Sequence, residues 1–257
     1  MNISNLLLYS ISNNFNEVVL KKGYLPILVS KNRKQYASGV TPVSASDLEE
    51  VSNKYLAKGW DFTSFEIYAR EFLVFKDGAD IVFRHLKEIN QKDLDDLALK
   101  SACTLSNGVI VVNSEDTEQK IDAVYKICSF INNTMMRRIN VLEDQKIFTV
   151  KPAKSMLTFF FTPLLDLVNS LRLLSLSSYD VLVIPSYCKD AEELVRSISR
   201  EKLIVLGMSG ALYADLDNIL YVMDLTDTGS NIPVSTSKPR INWNLLMENV
   251  KEDRKDA

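Results

Sequence analysis

The sequence predicts an α/β protein of two dissimilar parts, a mixed α+β portion followed by a Rossmann-like portion on a parallel sheet. Two observations carry that expectation. In the last hundred residues the apolar runs MLTFFF, DVLVIP, KLIVLG and NILYVMDL alternate with helix-like connections, as strands buried on both faces require. Nearer the start, Lys76-Asp77-Gly78 separates two strand-like runs, and Asp-Gly supplies the positive φ angles of a tight hairpin turn.

Taken in order, the opening MNISNLLLYSISNN has no basic leader and an apolar run of only four residues, so it reads as folded structure and not as a secretory signal. Ser46-Asp47-Leu48-Glu49 has the spacing of a capping box, and Leu48, Val51 and Tyr55 recur at helical spacing up to Gly59. FTSFEIYAREFLVF and ADIVFRHL form the two sides of the Asp-Gly hairpin. Leu94, Leu97 and Ala98 mark a second helix, NGVIVVN a short buried strand, and Ile121, Val124, Tyr125, Cys128 and Ile131 a third helix opened by Asp116 and Gln119. Met135-Met136-Arg137-Arg138 closes that helix. Asn140 to Lys154, with a possible strand KIFTV, is the expected boundary, dividing the chain into a mixed α+β domain over 1–140 and a Rossmann-like domain over 141–257.

Beyond the boundary, MLTFFF leads to a helix from Pro163 to about Leu176, with Pro163 suited to a first helical turn. DVLVIP, a helix over Asp190 to Arg200 capped by Asp190 and Glu193, and KLIVLG make a βαβ unit; NILYVMDL follows. Ala191, Leu194, Val195 and Ile198 form the inward stripe of its helix. The tail KEDRKDA is polar and of mixed charge.

Composition narrows the functions. At 257 residues the chain can bury its core without staples, and its three cysteines, Cys103, Cys128 and Cys188, lack the paired spacing of a disulfide framework or zinc site. A reducing, cytoplasmic setting is expected. No run is apolar enough to span a membrane: Ser155 to Leu176 is broken by Pro163, Asp166 and Arg172. Net charge is -3 with the signs interspersed, which excludes a global field for polyanions. The eight glycines form neither GxxxxGK[ST] nor GxGxxG, so glycine-rich phosphate loops of the familiar kinds are absent.

In a parallel α/β sheet, ligands sit beyond the carboxyl ends of the strands. Those ends carry Thr162, Ser186 with Tyr187, Gly207, Ser209 and Gly210, and Asp224 with Thr226 and Asp227. Ser186, Tyr187, Gly207, Ser209, Gly210, Asp224 and Asp227 are therefore the candidate ligand-binding set, although serine, glycine and aspartate also serve as ordinary turn formers after strands. Gly207-Met208-Ser209-Gly210-Ala211 approximates a nucleophile elbow but has Ala211 where glycine belongs, and the one histidine, His85, lies upstream. No catalytic residue and no resident metal site are assigned. Asp224 and Asp227 could hold Mg²⁺. Lys31, Arg33 and Lys34, in a basic loop ahead of Tyr36, could meet the phosphates of a nucleic acid or simply face solvent. The order of elements in the first half is similar to restriction-endonuclease-like nucleases. Their aspartate followed by Glu/Asp-x-Lys has no counterpart after Asp80: Asp144-Gln145-Lys146 comes too late, and Glu118-Gln119-Lys120 opens a helix.

These residues imply a non-catalytic binding or regulatory subunit, whose Rossmann-like crevice takes a small ligand such as a nucleotide, or which docks a protein partner. A Mg²⁺-dependent phosphodiester or phosphoryl enzyme using Asp224 and Asp227 is the second expectation. A nucleic-acid-binding accessory protein is the third.

Overall fold

The computed structural model describes residues 2–30, 33–56, 62–144, 146–162, 166–210 and 216–225. The chain divides into two compact units, Met1–Lys87 and Glu88–Ala257. They correspond to the two architectures expected: an antiparallel sheet with helices, then a parallel α/β sheet.

The first unit begins with helix α1 (Ile3–Ser12), whose N-cap Asn2 accepts the Asn5 N–H at 3.1 Å. Strands β1 (Glu17–Leu20), β2 (Ile27–Ser30) and β3 (Arg33–Tyr36) follow, then helix α2 (Ala45–Tyr55) and strands β4 (Phe62–Ile67), β5 (Arg70–Asp77) and β6 (Asp80–His85). They form one six-stranded sheet in the order β3-β2-β1-β6-β5-β4, antiparallel throughout. Its core joins Leu7 of α1 and Val51 of α2 to Val18, Leu28, Val74 and Phe83 on the sheet. The β5–β6 hairpin lies where expected, but Asp77 pairs with Asp80, so the turn residues are Gly78, at φ +62°, and Ala79. Three expectations shift. The capping box uses Ser44 and Asp47 instead of Ser46 and Glu49: Ser44 Oγ accepts the Asp47 N–H at 3.1 Å, and Asp47 Oδ2 accepts the Ser44 N–H at 2.9 Å. FTSFEIYAREFLVF is two strands, because Tyr68 and Ala69 turn the chain at φ +48° and +57°. From Arg33 onward the basic stretch is an edge strand and not a loop.

The second unit is a six-stranded, wholly parallel sheet. Just after β7 (Lys87–Glu88), Ile89 donates its N–H to the Thr149 carbonyl at 2.9 Å. Helix α3 (Leu97–Thr104), capped by Asp96, leads to β8 (Gly108–Asn113), every residue of which is buried. Helix α4 (Thr117–Thr134) starts where the sequence placed it, with Asp116 Oδ1 accepting the Gln119 N–H at 3.0 Å. It ends at Thr134, so Arg138 opens β9 (Arg138–Glu143) and does not close a helix. The short β10 (Phe148–Thr149), β11 (Met156–Phe161), α5 (Leu167–Leu174), β12 (Val181–Ile184), α6 (Glu192–Ile198), β13 (Leu203–Met208) and β14 (Ile219–Asp224) complete the unit. Pro163 lies outside the described residues. Ahead of α6 the chain makes a 3-10 turn over Lys189–Ala191, and neither Asp190 nor Glu193 caps the helix.

The strand order is β11-β9-β12-β13-β8-β14. Alternate residues of one strand sort to opposite faces, as the period of two demands. Ile110 and Val112 of β8 and Val183 of β12 pack with Leu99 of α3 and Ile121, Val124 and Tyr125 of α4. Val109, Val111, Leu182 and Ile184 pack with Leu171 of α5 and Val195 of α6 on the other side. Full burial of each such side chain contributes about 1.5–3 kcal/mol, which is why these strands read as unbroken apolar runs. A division at 140/141 would cut β9, which pairs in parallel with β11 on one side and β12 on the other. β8 and α4, placed by sequence in the mixed half, belong to the parallel unit.

Candidate functional site

Because all six strands of the second unit run the same way, their carboxyl ends form one rim. Ser186 and Tyr187 leave β12, Ser209 and Gly210 leave β13, Asn113 ends β8 and Asp224 ends β14, in that order across the sheet. With strand spacings of about 4.8 Å, Ser186 and Asp224 stand roughly 14 Å apart. Backbone bonds stitch the rim together: Tyr187 N–H to the Gly207 carbonyl at 2.9 Å, Ser114 N–H to the Met208 carbonyl at 3.1 Å, and Leu225 N–H to the Asn113 carbonyl at 2.8 Å. Asp227 and Thr226 lie outside the described residues, so the structure does not place the Asp224–Asp227 pair. No group of three or more His, Cys, Asp or Glu with metal-holding geometry occurs among the described residues.

The centre of the rim is Lys120, which the sequence offered only as part of a helix opening, Glu118-Gln119-Lys120. It sits in the first turns of α4, directly after the exit of β8, and is only 7 % exposed. Its Nζ donates to Ser209 Oγ at 2.9 Å, and that hydroxyl donates onward to the Ser114 carbonyl at 3.1 Å. Ser114 Oγ in turn accepts the Asp116 N–H and donates to Gln119 Oε1, both at 3.2 Å. One chain of contacts thus joins the β8–α4 turn to the exit of β13. Gly207 makes the close approach possible. A Cβ there would stand 2.1 Å from the Pro185 carbonyl oxygen and 3.1 Å from Lys120 Cγ, so only glycine leaves room for the Pro185 carbonyl and the lysine stem against β13.

Burial pushes the Lys120 ammonium down from its usual pKa, while the charges of Asp144 and Glu115 pull it back up. Asp144 follows β9 directly, and its Oδ1 is buried without a hydrogen-bond partner among the described residues. Beside it Glu143, 2 % exposed, accepts from the Tyr125 hydroxyl. On the far side of β8, Asn113 Nδ2 donates to Asp224 Oδ1 at 3.2 Å, and Asn113 Oδ1 is likewise buried without a partner. A buried cation beside two serine hydroxyls and a helix N-terminus suits the binding of an anion, against which the charges of Asp144 and Glu115 act.

The other candidate residues lie apart from this centre. Arg33 spreads its guanidinium over the Phe15 ring at 4.7 Å and donates to Gln35, while Lys34 is exposed; Lys31 is outside the described residues. His85 packs on Phe72, and burial, then Arg70 and Lys87, lowers its pKa. Among the described residues no helix is long and apolar enough to cross a membrane.

No family model matches this sequence, and no curated protein does. Solved structures match. The chain is similar to the pilus retraction motor PilT with bound ADP, at a TM-score of 0.66 and 13% identity, over 87% of this chain and 78% of that one. It is similar to the ATPase DotB of Legionella pneumophila at a TM-score of 0.61 and 12% identity, over 86% of this chain and 75% of that one. For the ATPase DotB of Yersinia pseudotuberculosis the TM-score is 0.56 at 12% identity, over 86% and 74%. At such identities the likeness is one of fold. The expectation of a non-catalytic binding or regulatory subunit is overturned, because the solved structures that share this fold are a pilus retraction motor and ATPases. The matched architecture extends over most of the chain and is that of a motor and of ATPases.

Proposed function

We propose that this chain is an ATP-hydrolysing motor subunit of the pilus-motor type, with the β8–α4 turn as its nucleotide-facing site. The observation that carries the proposal is Lys120: a nearly buried ammonium in the opening of a helix that follows a central parallel strand, held by Ser209 from the neighbouring strand. Phosphoryl transfer asks a protein chiefly for positioning and charge stabilisation. Lys120 would meet the phosphates, Ser209 would orient Lys120, and Asp144 would accept the proton of an attacking water through its unpartnered oxygen. Mg²⁺ enters with the nucleotide as part of the substrate.

The turn departs from glycine-rich phosphate loops. Asn113 to Gln119 contains no glycine and carries Glu115, Asp116 and Glu118, so side chains stand where bare backbone amides would otherwise cradle phosphate. Phosphate contact in this chain therefore falls to Lys120 and the serine hydroxyls. The accompanying partner class is protein, the assembly that a motor moves, and the accompanying setting is the cytoplasm, where ATP is supplied.

The test is Mg²⁺-dependent ATP turnover by the full chain. K120M and D144N should each lower it by about 10²-fold or more while far-UV dichroism and the melting temperature stay near those of the parent. A parent chain that neither turns over Mg²⁺·ATP nor melts higher in its presence overturns the proposal.

A further inference from the structure

The parallel sheet ends on one side at β11, and among the described residues no further strand pairs with its outer edge. The Met156 and Thr162 N–H groups point inward, to the Arg137 and Glu143 carbonyls at 2.9 Å each. Alternate residues of a strand in a parallel ladder turn their backbone groups to opposite edges, so Leu157 and Phe159 present N–H and C=O outward. Such an edge is a template for another strand. The other sheet edges carry protection: Arg33 and Lys34 on β3, exposed Glu66 on β4, and on β14 a register shift between Ile219 and Tyr221 ahead of Asp224. β11 has no charge and no proline, and it pairs with β9 without a shift. Its side chains divide by face. Leu157 and Phe159 pack on the core that α4 covers, whereas Met156 and Phe160, on the opposite face, are 67 % and 37 % exposed.

We infer that β11 is a dimerisation edge, where it pairs antiparallel with β11 of a second copy of this chain about a two-fold axis at Thr158. Charge selects a second copy as the occupant. Exposed Arg138 and Lys154 stand at the end where β9 and β11 begin, and Asp144 and Asp166 at the end where they finish. Antiparallel pairing lays the basic end of each copy beside the acidic end of the other. Register agrees with it. A two-fold axis perpendicular to the sheet keeps each face on its own side, and centred on Thr158 it sets Met156 of each copy against Phe160 of the other. The exposed apolar side chains thereby leave water together. Leu157 and Phe159 of opposite copies then exchange both backbone hydrogen bonds, and the two Thr158 residues meet as a non-hydrogen-bonded pair with Cα atoms about 4.5 Å apart. The contact is self-complementary and closes at two copies. The inference stands apart from the nucleotide reading, because it is read from association and not from ATP.

The experiment joins disulfide trapping to sedimentation, both on the full chain. T158C under mild oxidation should give a linked pair of chains on non-reducing electrophoresis, since that Cα separation lies within the span a disulfide bridges. L97C, at an exposed position of α3 beside the opposite edge strand β14, should not. In sedimentation the parent should run at twice the chain mass or an even multiple of it. M156K with F160K should halve that mass, because lysine then meets lysine across the axis, and M156E with F160K should restore it, because glutamate meets lysine. Far-UV dichroism matching the parent's establishes that both variants fold; if the lysine pair fails that check, T158C decides. A parent that sediments as a single chain, which would leave the edge to another occupant, overturns the inference. So does an absent T158C link, an equal link from L97C, an unchanged mass for M156K with F160K, or a single chain from M156E with F160K.

Discussion

Lys120 shows why single residues at this site were hard to find. Its signal in the sequence was a lysine in the first turns of a helix after a buried strand, and that pattern is recognised by its glycines, which are missing here. Ser209 and Gly207 were legible because they end a strand with small residues, but their partner was not, since 89 residues separate Ser209 from Lys120. Gly207 makes a direct prediction: G207A drives a Cβ to 2.1 Å from the Pro185 carbonyl and should destabilise the protein by at least about 1–3 kcal/mol in denaturant unfolding. Asp116 should behave as a cap, so that D116A costs about 1 kcal/mol. Two tyrosines contribute to the alkaline limit, together with the thiols of Cys103 and Cys128, which burial also pushes up. Burial, then the charge of Glu201, pushes the Tyr179 hydroxyl up to about 12, and burial, then the hydrogen bond to Asp96, raises that of Tyr221 further. For Asp96 burial works against the carboxylate, but the Leu99 amide, the Tyr221 hydroxyl and the Ala98 amide outweigh it and hold its pKa below the usual range. The fold therefore favours protonated tyrosine. Above about pH 10 the unfolded chain ionises first, and stability falls as pH rises. Chemical denaturation between pH 9 and 11.5 should show that fall in the parent and a shallower one in Y179F; parallel profiles would remove Tyr179 as a cause.

At the scale of elements, what the sequence disclosed followed burial. β8, β12 and β13 are buried on both faces and announced themselves as apolar runs, and α4 did so through its inward stripe and Asp116. β3 was hidden because an exposed edge strand, Arg33–Tyr36, has no apolar face to display. The β4–β5 turn was hidden for another reason. Tyr68 and Ala69 both adopt left-handed φ, a conformation that costs non-glycine residues about 1–2 kcal/mol each, so the local chemistry argued for a continuous strand and the antiparallel pairing of Phe65 with Phe72 overrode it. Replacing the pair by Asn-Gly, Y68N with A69G, should raise the denaturation midpoint. A lowered midpoint would mean that the exposed Tyr68 ring contributes more than its backbone costs.

For the molecule as a whole, two architectures were legible and their meeting point was not. The first unit closes at Lys87, and the parallel unit takes in α3, β8 and α4. Sequence reasoning joined β8 and α4 to the hairpin half because they follow it closely and because their sheet partners, β13 and β14, come about a hundred residues later. That misplacement hid the turn proposed above to face nucleotide, since the rim was read without its central strand. The crevice expected near Ser186, Ser209 and Asp224 is the same rim with Lys120 restored to it. Hydrogen–deuterium exchange of the full chain with and without Mg²⁺·ATP tests the account most directly. Protection concentrated in Asn113 to Lys120 and Gly207 to Gly210 is the result it predicts. Exchange unchanged there, with protection elsewhere or nowhere, would contradict it.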